Sequence, residues 1–149
     1  MVEVKKILFP CDFTESSLKV LPYVVSMAEQ YDSQVYILHV DELHEWGGHF
    51  IPHTSLGKLQ EQSLKAAEKA MDRICEEHLQ GCPNFQRKIV SGEPATEILK
   101  LIESEDIDMV VMGTHGRKGM ENAIFGSVAE NVVKKSPVPV LVINPYKLK

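Results

Sequence analysis

Four consecutive apolar residues, Met109-Val110-Val111-Met112, stand between Asp108 and Gly113. A run this short, with no alternation of polar and apolar positions, suits a strand covered on both faces, and such strands belong to parallel sheets. Further strands are expected at 4–9, 34–40, 84–90 and 138–143. Helical patterns fall between them. The first, 14–30, carries Leu18, Leu21, Val25 and Ala28 on one face and has Thr14 as its N-cap. The second, 56–79, carries Leu64, Ala67, Met71 and Ile74 at helical spacing. Pro94 suits the first turn of a third helix, 94–103, and Gly126-Ser127 opens a fourth. Strands alternating with helices imply right-handed crossovers, hence an α/β fold: an open five-stranded parallel sheet, doubly wound with helices on both faces. Ligands bind such sheets at the carboxyl ends of the strands, where successive connections diverge.

A length of 149 residues suits one domain, 1–149, which buries roughly two-thirds of the surface its unfolded chain exposes. The net charge of −5 argues against nucleic-acid binding, which needs clustered Lys and Arg on the phosphate backbone. An acidic protein that holds phosphate is expected to do so in one pocket built mainly of backbone donors. Cys11, Cys75 and Cys82 form neither a C-x-x-C pair nor a disulfide framework, which favours a reducing compartment. No apolar run approaches membrane-spanning length, and the N-terminus lacks a signal-peptide core, so a cytoplasmic protein with no membrane partner is expected.

The strand at 107–112 runs into Gly113-Thr114-His115-Gly116, and nine residues separate this stretch from Gly126-Ser127. Gly113 ends the strand, while Gly116 and Gly119 allow positive φ or close backbone approach. At a helix start several N–H groups have no internal partner and the dipole is positive, so a phosphate held by those amides and the Ser127 hydroxyl is favoured. The pattern is not a Walker A loop, because Lys118 occupies the position of its second glycine. Nor is it a dinucleotide fingerprint, since the first strand leads into Pro10-Cys11-Asp12. Turn and cap duties for Gly113, Gly116 and Gly126 remain the alternative on these grounds.

Gly113-x-x-Gly116, nine residues and Gly126-Ser127 together resemble the nucleotide-binding pattern of the universal stress protein family. Further segments agree with it: Lys6 to Ser16, His39-Val40 closing the second strand, Gly92-x-Pro94 before a helix, and Ser136 to Ile143. The resemblance spans nearly the whole chain except residues 43 to 58. It implies strand order 3-2-1-4-5, as in adenine nucleotide alpha hydrolase-like folds. It also implies an ATP or AMP site in which adenine and ribose lie between Asp12, Val40 and Gly113, with Pro10 and Met112 along the same wall and Cys11 contributing backbone. Phosphates would meet Gly116, Arg117, Gly126, Ser127 and Val128, with Mg or Mn only as a companion of the triphosphate. A homodimer around Val140 to Ile143 is implied as well. Pro137 and Pro139 agree with an edge position for that strand, because they cannot donate ladder hydrogen bonds.

Several residues carry two readings. Asp12 can accept from a nucleoside, or serve an N-cap or Asx turn. His115 can touch phosphate or ribose, or remain a solvated loop histidine, and Arg117 and Lys118 can screen phosphate or decorate the surface. Cys11 can place a thiol beside the nucleotide or sit quietly buried. The loop with His44, Trp46, Gly47, Gly48, His49, Phe50, Pro52 and His53 can form a lid, a partner surface or, with its three imidazoles, a metal site. No catalytic residue and no resident metal are assigned. The chain contains no His-x-Gly-His or Ser-Gly-Gly-x-Asp-Ser sequence. A stress-response binder acting as a nucleotide-dependent dimeric switch is therefore expected ahead of a slow ATPase or a phosphoryl or nucleotidyl transferase.

Overall fold

The computed structural model describes residues 1–42, 53–80, 84–115 and 125–148. Five strands and four helices alternate: β1 (Lys6–Pro10), α1 (Glu15–Tyr31), β2 (Gln34–Asp41), α2 (His53–His78), β3 (Phe85–Ser91), α3 (Pro94–Ser104), β4 (Met109–Gly113), α4 (Ser127–Lys135) and β5 (Val140–Ile143). Every strand pair is parallel, in the order β3-β2-β1-β4-β5 expected from the family resemblance. The last strand lies at an edge, as its prolines require.

Burial explains the continuous apolar runs. Along β1, Ile7 and Phe9 enter one core beneath α1 and α2, while Leu8 enters a second core beneath α3 and α4. Along β4, Val111 joins the first core and Val110 and Met112 the second. Neither face of these central strands meets water, so no polar alternation is possible. Each fully buried Ile, Leu or Phe contributes about 1.5–3 kcal/mol, which makes these two layers the main support of the sheet.

Local signals set most boundaries. The Thr14 side chain accepts the Ser17 amide at the start of α1, and Asp32 closes that helix in the left-handed region at φ 54°, its N–H reaching the carbonyls of Ala28 and Glu29. Four boundaries depart from expectation by two residues or more, β4 among them, which starts at Met109 and not at 107. β1 starts at Lys6 because the amides of Lys5 and Lys6 both donate to the Asp108 carboxylate at 2.9 Å, so a side chain from β4's approach occupies the place of a ladder partner. β5 begins at Val140: the Pro139 carbonyl takes the Val110 amide, but Pro139 has no N–H to extend the strand. α2 begins at His53, which places that histidine in a helix and not in the preceding loop. Among the described residues no helix is long and apolar enough to cross a membrane.

Candidate functional site

The order β3-β2-β1-β4-β5 makes the connections of β1 and β4 leave the sheet in opposite directions, and a cleft of about 720 Å³ opens there at the carboxyl ends. That volume lies in the range of small-molecule sites.

The turn after β1 forms its first wall. The Cys11 amide donates to the Leu38 carbonyl at 2.8 Å, and the Cys11 carbonyl lies 2.9 Å from His39 Nδ1. Asp12 Oδ1 accepts from the Thr14 amide at 3.0 Å, the Thr14 hydroxyl at 2.5 Å and the Ser17 hydroxyl at 2.6 Å. The Asx-turn reading of Asp12 is therefore realised, with Thr14 and not Asp12 as the N-cap. Asp12 nevertheless lines the cleft, so the two readings are compatible. Cys11 is buried, and loss of solvation pushes its thiol up to about 12. Burial favours the quiet cysteine, while the residue also lines the cleft.

Leu38 to Glu42 at the end of β2, together with Ser63, Ala66, Ala67 and Ala70 on α2 and Glu93, Pro94 and Ile98 at the start of α3, form the opposite side. Gly92 turns the chain between β3 and α3 at φ +154°, a conformation that a side chain rarely adopts. Glu93 then caps α3 with bonds from the amides of Ala95 and Thr96 and from the Thr96 hydroxyl. Partial burial alone would raise its pKa, but those bonds and the Lys135 charge outweigh it and hold the carboxyl below its usual value.

Met112, Gly113, Thr114 and His115, with Gly126 to Ala129, complete the ring. A Cβ on Gly113 would stand 3.3 Å from the His115 carbonyl and 3.4 Å from Val20, so glycine permits close packing there without any unusual φ. Gly126 is the N-cap of α4 at φ −71°, ψ 157°, and its amide reaches the Thr114 carbonyl at 2.6 Å. Among the described residues no side chain caps α4, and the first-turn amides of a helix are natural anion donors. Positive φ applies at neither Gly113 nor Gly126, and Gly116 and Gly119, where it is expected, lie outside the described residues. His115 is not a solvated loop histidine. It is buried, its Nδ1 lies 2.7 Å from Thr114 Oγ1, and its ring meets the edge of Tyr146.

Ten of the predicted site residues therefore meet at one cleft: Pro10, Cys11, Asp12, Val40, Met112, Gly113, His115, Gly126, Ser127 and Val128. Gly116, Arg117, Lys118 and Gly119 lie outside the described residues, as do His44 to Pro52 of the histidine-bearing loop. Sequence reasoning did not assign Glu93, Glu42 or the α2 alanines to the site. It noted His39 only as the close of a strand. The signal for the alanines is their spacing, Ala66-Ala67-x-x-Ala70, which leaves one stretch of α2 without bulk. Among the described lining residues there are four carboxylates and no lysine or arginine, so an anion is best received at the α4 end.

The model of the universal stress protein family matches residues 3–144. Universal stress protein MJ0531 of Methanocaldococcus jannaschii is 31% identical over 144 residues, covering 96% of this chain and 84% of the relative. MJ0577 of the same organism is 33% identical over 155 residues, covering 95% and 96% of the two chains. Its solved structure superimposes with a TM-score of 0.85, covering 96% of this chain and 97% of that one. The fold extends to a universal stress protein of Archaeoglobus fulgidus solved in complex with dAMP, at 18% identity and a TM-score of 0.67, covering 97% of this chain and 100% of that one.

Proposed function

This chain belongs to the universal stress protein family, and from that premise we propose that its cleft binds an adenine nucleotide, ATP in the first instance. The observation that carries the reading is the start of α4, with glycine at its N-cap and no side-chain cap among the described residues, at a cleft where the connections diverge. Val40, Pro10 and Met112 provide the wall for a base, Asp12 an acceptor for a nucleoside donor, Gly126 room for close approach of phosphate, and Ser127 and Val128 the donors for its oxygens. Mg or Mn would enter only as a companion of the triphosphate, supplying charge neutralisation there. The complexes of distant family members with dAMP and cAMP support the ligand class.

Binding itself is the output in this reading. The nucleotide changes the partner affinity of a cytoplasmic homodimer paired through β5, where Leu141 is an exposed apolar residue on an edge strand. Calorimetric titration of the purified chain with ATP and AMP, each with and without Mg, tests the site. Saturable binding of neither nucleotide overturns it. Product analysis after incubation with ATP and Mg separates binder from enzyme, and sustained turnover above the buffer rate would establish the slow ATPase instead.

A further inference from the structure

We infer that His39 is the positioning residue of the turn after β1, holding Asp12 toward the cleft through an Nδ1–H bond and a ring stack. The inference rests on the nucleotide reading for its functional consequence but not for its geometry. Three observations meet at this ring. His39 is a polar side chain only 9% exposed, and its Nδ1 lies 2.9 Å from the Cys11 carbonyl. A carbonyl only accepts, so the proton must be on Nδ1, and in the neutral ring Nε2 is left as the acceptor. The ring of Phe13 stacks on that of His39 with centroids 4.3 Å apart. Phe13 itself is at φ 64°, in the left-handed region that a bulky residue adopts only when its surroundings enforce it.

The enforcement comes from both sides of Asp12. On the N-terminal side His39 holds the Cys11 carbonyl, while the Cys11 amide is tied to Leu38. On the C-terminal side the stack holds Phe13 in its unusual conformation. Asp12 lies between these two anchors, with Oδ1 committed to Thr14 and Ser17. β2 thus reaches across to β1 and dictates where the carboxylate of the β1 turn stands. Loss of the Nδ1–H would leave a buried carbonyl unpaired and a left-handed Phe13 with less to hold it.

Two substitutions separate the parts of this hold. His39→Phe keeps an aromatic ring but removes the N–H, whereas His39→Asn places an amide N–H near the position of Nδ1. We expect His39→Phe to accelerate hydrogen exchange of the Asp12, Phe13 and Thr14 amides about tenfold while leaving β4 and α3 unchanged. ATP affinity should fall about tenfold with tripolyphosphate affinity unaltered, and His39→Asn, which restores the N–H without the ring, should recover part of both losses. Exchange in the turn unchanged by His39→Phe, or no recovery in His39→Asn, overturns the inference. Nitrogen NMR of the wild-type protein adds a test independent of any variant's folding: a ring protonated only on Nε2 excludes the bond. Should the wild type bind no nucleotide, the nucleotide reading fails, while exchange and ring protonation still decide the role of His39.

Discussion

Removing the Asp12 carboxylate tests the fold and the site together. Asp12 Oδ1 collects three donors, the Thr14 amide and the hydroxyls of Thr14 and Ser17, at 2.5 to 3.0 Å. In Asp12→Ala the two hydroxyls, half-buried, can turn toward water, so each lost bond costs only the net value of a hydrogen bond, about 0.5–1.5 kcal/mol. Three such bonds at the low end of that range, together with the weakened entry into α1, amount to about 2 kcal/mol. For a chain of this size that corresponds to a fall in Tm of about 4–8 °C. Asp12→Asn keeps an oxygen at Oδ1 and removes the charge, so its stability should stay within about 0.5 kcal/mol of wild type. Urea unfolding followed by circular dichroism, with the slope held common, reads these differences. Titration calorimetry then reads the site: Asp12→Ala should weaken ATP more than tripolyphosphate. If Asp12→Ala unfolds with wild-type free energy, the turn has been misjudged; equal losses for both ligands would take Asp12 away from the nucleoside.

Gly126→Val should keep the fold, because φ −71° and ψ 157° suit valine, but should abolish ATP binding by blocking phosphate approach; undiminished calorimetric affinity would refute it. Gly92→Ala should cost about 1–3 kcal/mol, since φ is +154° and its Cβ would stand 2.8 Å from Glu97 Oε1 and 2.9 Å from Glu97 Cγ; a Tm within 1 °C of wild type, a difference on the order of the measurement error, would contradict this. Cys11 has a thiol raised from 9.0 to about 12 in the folded protein. Its contribution to stability is whole below about pH 9 and is lost as pH rises toward 12, by at most about 1.4 kcal/mol per pH unit, because only the unfolded thiol releases its proton in that window. Cys11→Ala should therefore flatten the decline of stability between pH 9 and 11, measured by urea unfolding, and an unchanged slope would sink the assignment.

Features that depend on near neighbours were legible in the sequence. The apolar runs of β1 and β4, the Thr14 cap and Pro94 at the first turn of α3 each reflect a local period or a local hydrogen bond. The glycine and serine at 126–127 were legible as a helix start, and they do open α4 at the edge of the cleft. Strand order was different, because it entered only through family resemblance; periodicity identifies a strand and says nothing of its neighbour.

What tertiary structure alone decided concerns residues whose partners lie far along the chain. Asp108, about a hundred residues away, sets where β1 begins. Tyr146, from beyond β5, packs its ring against His115, which is buried and not solvated. The α2 alanines and Glu93 became part of the cleft only when α2 and α3 were laid over the sheet. His39 reads in sequence as the end of a strand, and only the pairing of β2 with β1 gives its ring a carbonyl to hold and a phenylalanine to carry. The division has one physical cause. Side-chain period and caps act within a turn or two of chain, whereas a binding cleft is made where separate elements end side by side, and that adjacency is a property of packing.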